Sequence, residues 1–123
     1  MMRYPTISRL IVPMVLVLTA GCGTTVCAAM AEGPSFDCSS ASGSIEKLIC
    51  NDNELSALDR KLAGVYAAAS KKATDEHPPV LKAEQRGWIK GRNDCWKSEN
   101  SRACTEKAYQ SRIAELPVSY TQL

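Results

Sequence analysis

An all-α fold, a small disulfide-stapled bundle of three main helices plus one short N-terminal helix, is what this sequence predicts, on three observations. From residue 45 onward, apolar residues recur at three- and four-residue steps, the period of a helix with one buried face. No segment alternates apolar and polar residues as a half-buried strand would. Four cysteines, Cys38 ahead of the first expected helix and Cys50, Cys95 and Cys104 at the ends of the expected helical segments, stand in a chain too small to be stabilised easily by its core alone.

Residues 1–31 read as an export signal and residues 32–123 as one helical domain. Met1 to Arg9 carries two positive charges, and Leu10 to Ala20 is apolar and uncharged. That run is too short to span a bilayer, which takes roughly 20 residues. Two ends of the signal are chemically reasonable. Leu18-Thr19-Ala20-Gly21-Cys22 resembles a lipobox, in which Cys22 would be acylated, with Thr19 where such motifs usually have Leu. Ala29-Met30-Ala31 is a small-x-small site for ordinary cleavage, which would remove Cys22 and Cys27 together and leave the even set of four. Either route delivers the domain outside the cytoplasm, to the periplasm or, with acylated Cys22, to the outer membrane. Membrane contact is expected only through that lipid anchor.

In the domain, Glu32 to Gly43 has no helical period and reads as an irregular arm. Ser44 is the expected N-cap of a short helix carrying Ile45, Leu48 and Ile49. Asn51-Asp52-Asn53-Glu54 supplies the next cap, and Leu55, Leu58, Leu62, Val65, Tyr66 and Ala69 form the stripe of a helix from Asp52 to about Ala73. Lys71 to Pro79 is a polar connection ending in two prolines. A third helix, from Pro79 to about Lys97, places Leu81, Gln85, Trp88, Ile89, Arg92, Cys95 and Trp96 on one face. Asn100 or Ser101 caps the last helix, which carries Cys104, Ala108, Tyr109, Ile113 and Leu116 and is expected to stop at Pro117.

The cysteine spacings, C-x11-C and C-x8-C, do not suit zinc, whose ligand pairs usually lie two to four residues apart. In an exported domain they read as disulfides, with three pairings open. Local pairing is expected, because Cys95 and Cys104 flank one short helix turn; Cys38 with Cys50 would then staple the arm to the first helix.

Arg3 and Arg9 account for the whole net charge of +2, so the exported domain is neutral and poorly suited to tracking nucleic-acid phosphates. His77, the one histidine, lies in the polar connection, with no nucleophile elbow or glycine-rich phosphate loop to accompany it. No enzymatic site and no cofactor are expected. Asp59, Gln85 and Arg92 each border an apolar stripe, and groups so placed need partners. An Asp59–Arg92 pair with Gln85 nearby, either as a core network or as a ligand-facing cluster, meets that need. Glu46, Asp52, Glu54 and Asp59 make the first helical region acidic, while the chain from His77 onward is net basic. These charges either neutralise one another across the helix interface or leave Glu46, Asp52, Glu54 and Asp59 to steer a cationic protein partner.

Taken together, Pro34-Ser35-Phe36-Asp37-Cys38, Ile45-Glu46-Lys47-Leu48-Ile49-Cys50, Leu58-Asp59, Glu84-Gln85-Arg86-Gly87-Trp88 and Arg92-Asn93-Asp94-Cys95 resemble the LprI-like lysozyme-inhibitor family. The resemblance covers nearly all of residues 34–116. It implies an exported, helical, disulfide-containing domain, without catalytic residues, whose partner is lysozyme. A lysozyme inhibitor has to plug a cleft in a strongly basic protein, and two segments are candidates for the plug: the arm before Cys38 and the 71–79 connection. The alternative is a structural or assembly module that binds another envelope protein or peptidoglycan.

Overall fold

The computed structural model describes residues 32–75 and 79–120. The expected export signal with Cys22, and His77 in the connection, lie outside the described residues. Four α-helices follow the arm: α1 (Ser44–Asn51), α2 (Asn53–Lys72), α3 (Val80–Asn93) and α4 (Ser101–Ser119). Two short 3-10 turns accompany them, at Cys38–Ser40 and Asp94–Lys97. No strand occurs among the described residues.

Each boundary has a local cause. Asp52 sits in extended conformation between α1 and α2, and its carboxylate accepts from the backbone N–H groups of Glu54 and Leu55, both at 3.0 Å. These are two of the donors that a helix start leaves unsatisfied. Asn100 does the same for α4, accepting from the Ala103 N–H at 2.9 Å. At α1 the expected cap is displaced by one residue. Gly43 is the N-cap and Ser44 the first helical residue, because Glu46 reaches back to the backbone N–H groups of Ser42 and Gly43 at 3.1 and 3.4 Å.

α2 and α4 form the longest helix interface, with α1 packed on α2 and α3 set against α4 and α1. Ile45 and Ile49 from α1, Leu55, Leu62 and Ala69 from α2, Leu81 from α3, and Tyr109 and Leu116 from α4 close a single core. These are the expected stripe positions at their expected spacing. Ser56 is also fully buried, its hydroxyl donating to the Ile49 carbonyl at 2.7 Å and so tying α2 to the end of α1.

Two expectations fail at the third and fourth helices. The third helix changes to a 3-10 turn at Asp94, which carries Cys95 into the core and swings Trp96 outward to 60% exposure, with the Lys97 ammonium over its ring at 5.6 Å. Pro117 does not end α4, which continues to Ser119. The lost hydrogen bond and the ring clash of an internal proline cost about 3 kcal/mol. Burial of Leu116 and Tyr120 on either side offsets this, each worth about 1.5–3 kcal/mol. The Tyr120 N–H also still reaches the Leu116 carbonyl.

The cysteines pair locally. Cys38 bonds Cys50 and Cys95 bonds Cys104, with Cα separations of 5.9 and 5.6 Å. The first staples the turn after the arm to the end of α1; the second closes the corner between α3 and α4. Each closes a short loop, worth about 3 kcal/mol in the chain-entropy model. Replacing Cys95 and Cys104 together by serine should therefore lower unfolding free energy by about 3 kcal/mol in a urea titration; a change below about 0.5 kcal/mol would show that this corner is held by packing alone.

Candidate functional site

Three helices and the arm meet at one buried polar group, Asp59. Its position on the inward face of α2 follows from the Leu55–Leu62 stripe, and only 6% of the residue is exposed. One carboxylate oxygen accepts from the Tyr109 hydroxyl of α4 at 2.8 Å. The other accepts from the backbone N–H and the hydroxyl of Ser35, at 2.6 and 2.5 Å. Arg92 of α3 donates to the Tyr109 hydroxyl at 2.9 Å and lies 3.9 Å from the carboxylate, so the phenol bridges an ion pair that barely touches directly. Its Nε and its other terminal nitrogen donate to the Asn93 side-chain oxygen at 3.1 and 2.9 Å.

Aromatic rings complete the cluster. Trp88 and Tyr109 pack edge to face with centroids 5.2 Å apart, and the Arg92 guanidinium lies 5.5 Å from the Trp88 ring and 5.7 Å from that of Tyr109. The Trp88 indole N–H donates to the Ala108 carbonyl at 3.3 Å. Burial pushes the Tyr109 hydroxyl far above the usual phenol range, against the pull of Arg92, so it stays a neutral donor at every physiological pH.

Gln85 does not join this pair. One carbonyl oxygen serves one nearby guanidinium, and the one facing it across the α3–α4 interface is that of Arg112, whose Nε donates at 3.1 Å. Arg112 is 4% exposed and bonds Glu115 at 3.1 Å, while its second terminal nitrogen lies 3.9 Å from Glu84 and has no hydrogen-bond partner among the described residues.

The four acidic residues expected to face a partner have separate fates. Asp59 is almost fully buried, its carboxylate held by Tyr109 and Ser35. Asp52 and Glu54 are both bonded by Arg102 of α4, at 2.7 Å for Asp52, and Glu106 joins them at 2.9 Å. The Leu55 N–H and the Arg102 side chain hold the Asp52 carboxyl below the usual carboxylate range. Glu46 caps α1 and meets no cation among the described residues. The arm is fastened to α2: besides Ser35, the Glu32 and Gly33 carbonyls accept from Arg60 at 2.6 and 2.7 Å.

Pinning the arm leaves a groove of about 490 Å³ between it, α2 and α3. Phe36, Leu62, Tyr66, Trp88 and Ile89 make its walls, and Asp59, Gln85 and Arg92 contribute to its polar part. Asp37 and Glu46 also line it. Asp37 is an exposed carboxylate whose pKa is lowered by hydrogen bonds from the Ser39 hydroxyl and backbone N–H. Among the described residues no three His, Cys, Asp or Glu side chains converge on a metal position, and no helix is long and apolar enough to cross a membrane.

Sequence reasoning missed Tyr109 as the bridge, Ser35 as a ligand of Asp59, Arg112, and Asp37 at the groove. The signals were available for two of them: a tyrosine inside an apolar stripe needs a partner for its hydroxyl, and Asp-x-Ser is a common local turn.

Residues 38–116, the span that holds both disulfides and the Asp–Tyr–Arg bridge, match a known family model, that of the lysozyme inhibitor LprI. The chain belongs to the lysozyme inhibitor LprI family. Proteins named Lipoprotein LprI from Mycobacterium bovis and from two strains of Mycobacterium tuberculosis are each 30% identical to it over 87 residues. The alignment takes in 71% of this chain and 43% of each relative, so the chain spans less than half the length of these curated LprI proteins. No solved structure matches it.

Two measurements test the energetics of this LprI domain. Arg92→Met should cost about 3 kcal/mol, because it leaves Asp59 charged and buried with only hydroxyl and amide donors; an unchanged melting temperature would mean that the bridge contributes nothing net. Asp52→Asn keeps the cap oxygen but loses the charge. The wild-type carboxyl has a lowered folded pKa, so its contribution is complete above the ordinary carboxylate range and lost as pH falls through the folded value. The variant should be less stable at neutral pH and flatter in its acid-unfolding curve; parallel curves would remove Asp52 from the acid response.

Proposed function

We propose that this protein is a non-catalytic, exported binding domain that inhibits lysozyme by covering its substrate cleft. Family membership over residues 38–116 carries the reading, since that span holds both disulfides and every residue of the Asp59–Tyr109–Arg92 bridge. The relatives' name, lipoprotein, supports placement in the cell envelope: anchored in the outer membrane if Cys22 is acylated, in the periplasm if the signal ends at Ala31.

The disposition of charge narrows how capture would work. Arg102 neutralises part of the acidic stretch at Asp52 and Glu54, so attraction of a basic enzyme falls to the carboxylates that keep their charge uncompensated. Capture of that kind weakens with salt, because the screening length drops from about 10 Å at 0.1 M to about 3 Å at 1 M.

The test is a cell-wall clearing assay with several lysozyme types and the purified, oxidised protein in excess. Inhibition is expected, decreasing as salt rises and absent after reduction and alkylation. A folded sample that leaves every lysozyme untouched would reject the proposal and favour a structural or assembly role in the envelope.

A further inference from the structure

We infer that the groove between the arm and α3 receives a single cationic side chain, an arginine or a lysine, from a basic protein partner. The inference takes the protein nature of that partner from the lysozyme-inhibitor reading and adds the place and chemistry of recognition.

Charge complementarity selects the occupant. Most carboxylates elsewhere on the domain meet a basic side chain: Asp52, Glu54 and Glu106 at Arg102, Glu84 and Glu115 at Arg112, Asp94 at Lys97, Glu32 at Arg60. Asp75 and Glu99 meet none among the described residues, and neither lines the groove. Asp37 and Glu46 have no cation within ion-pair distance among the described residues, and both line this groove. The Asp59 and Arg92 charges inside it cancel, which leaves the groove with two uncompensated negative charges.

The walls are equally selective. Phe36 and Tyr66 offer aromatic surface beside those carboxylates, and a guanidinium stacks on such surface while its edge N–H groups reach carboxylate oxygens. The fold already contains this arrangement once, where Arg92 packs on two rings with its N–H groups directed at oxygens. A volume of about 490 Å³ has room for one long side chain. The site is also rigid: Cys38–Cys50 fixes the turn that follows Asp37, and Ser35 fixes the arm ahead of it.

The experiment titrates the purified, disulfide-bonded protein with N-acetyl-arginine amide, and separately with its neutral isostere N-acetyl-citrulline amide, followed by NMR. Asp37→Asn and Glu46→Gln remove charge but keep the oxygen acceptors that cap the turn and α1, so both variants should fold. The arginine probe should shift the Trp88 indole and the backbone signals of Ser40 and Ala41, leaving Trp96 in place, and the double variant should weaken its binding roughly tenfold. Equal shifts from citrulline amide would overturn the inference in favour of an uncharged occupant, and no shift from either probe would overturn it outright. The lysozyme arm separates this result from the parent reading. If lysozymes bind the wild type and the double variant equally and the arginine probe is silent, inhibition stands and the groove is wrong. If arginine amide binds but no lysozyme does, the groove stands and the partner is another basic protein.

Discussion

The bridge from Asp59 through the Tyr109 hydroxyl to Arg92 is the constraint on which the arrangement of this domain depends. It draws one residue from each of α2, α4 and α3, and Ser35 adds the arm. A buried carboxylate and a buried guanidinium each carry a desolvation penalty of several kcal/mol, which their attraction offsets only when the remaining hydrogen-bonding positions are filled. Here Ser35 and Asn93 fill them. An apolar layer would tolerate small slips of one helix past another; three donors converging on one carboxylate do not. The polar centre thus fixes the register of the helices, and the apolar stripes supply most of the stabilisation around it.

Around that centre the domain sorts its charges into pairs. Arg102 collects three carboxylates from α2, α4 and the α1–α2 junction, and Arg112 spans α3 and α4 through Gln85 and Glu115. The Arg102 pairs are partly exposed, and ion pairs of that kind contribute little each, typically about 0–1 kcal/mol. Their larger effect is on the surface field, because they cancel charge that the sequence alone would count as available. What stays uncompensated at the groove is Asp37 and Glu46.

The contrast explains what could be read from the chain. Helix positions, the core stripes and the local pairing of cysteines follow from periodicity and chain proximity, and they are properties of neighbouring residues. The opposition of Asp59 and Arg92 was also within reach, since each interrupts an apolar stripe and a buried charge needs its opposite. The partner of Gln85 was not, because choosing between Arg92 and Arg112 requires the rotation of α3 against α4. Nor was the neutralisation of Asp52 and Glu54, which depends on a residue about 50 positions away. Pro117 misled for a related reason: its local cost is real, and only the burial of Tyr120 beyond it keeps the helix going.

Ser35 gives the folding unit a chemical edge that differs from its family edge. Similarity to the LprI model begins at Cys38, so a fragment cut there keeps both disulfides and all four helices. It would nevertheless remove two of the donors to Asp59 and open the inner end of the carboxylate to water. The few residues ahead of the first cysteine are therefore a stopper for the interior, and Arg60 fastens them to α2 as far back as Glu32.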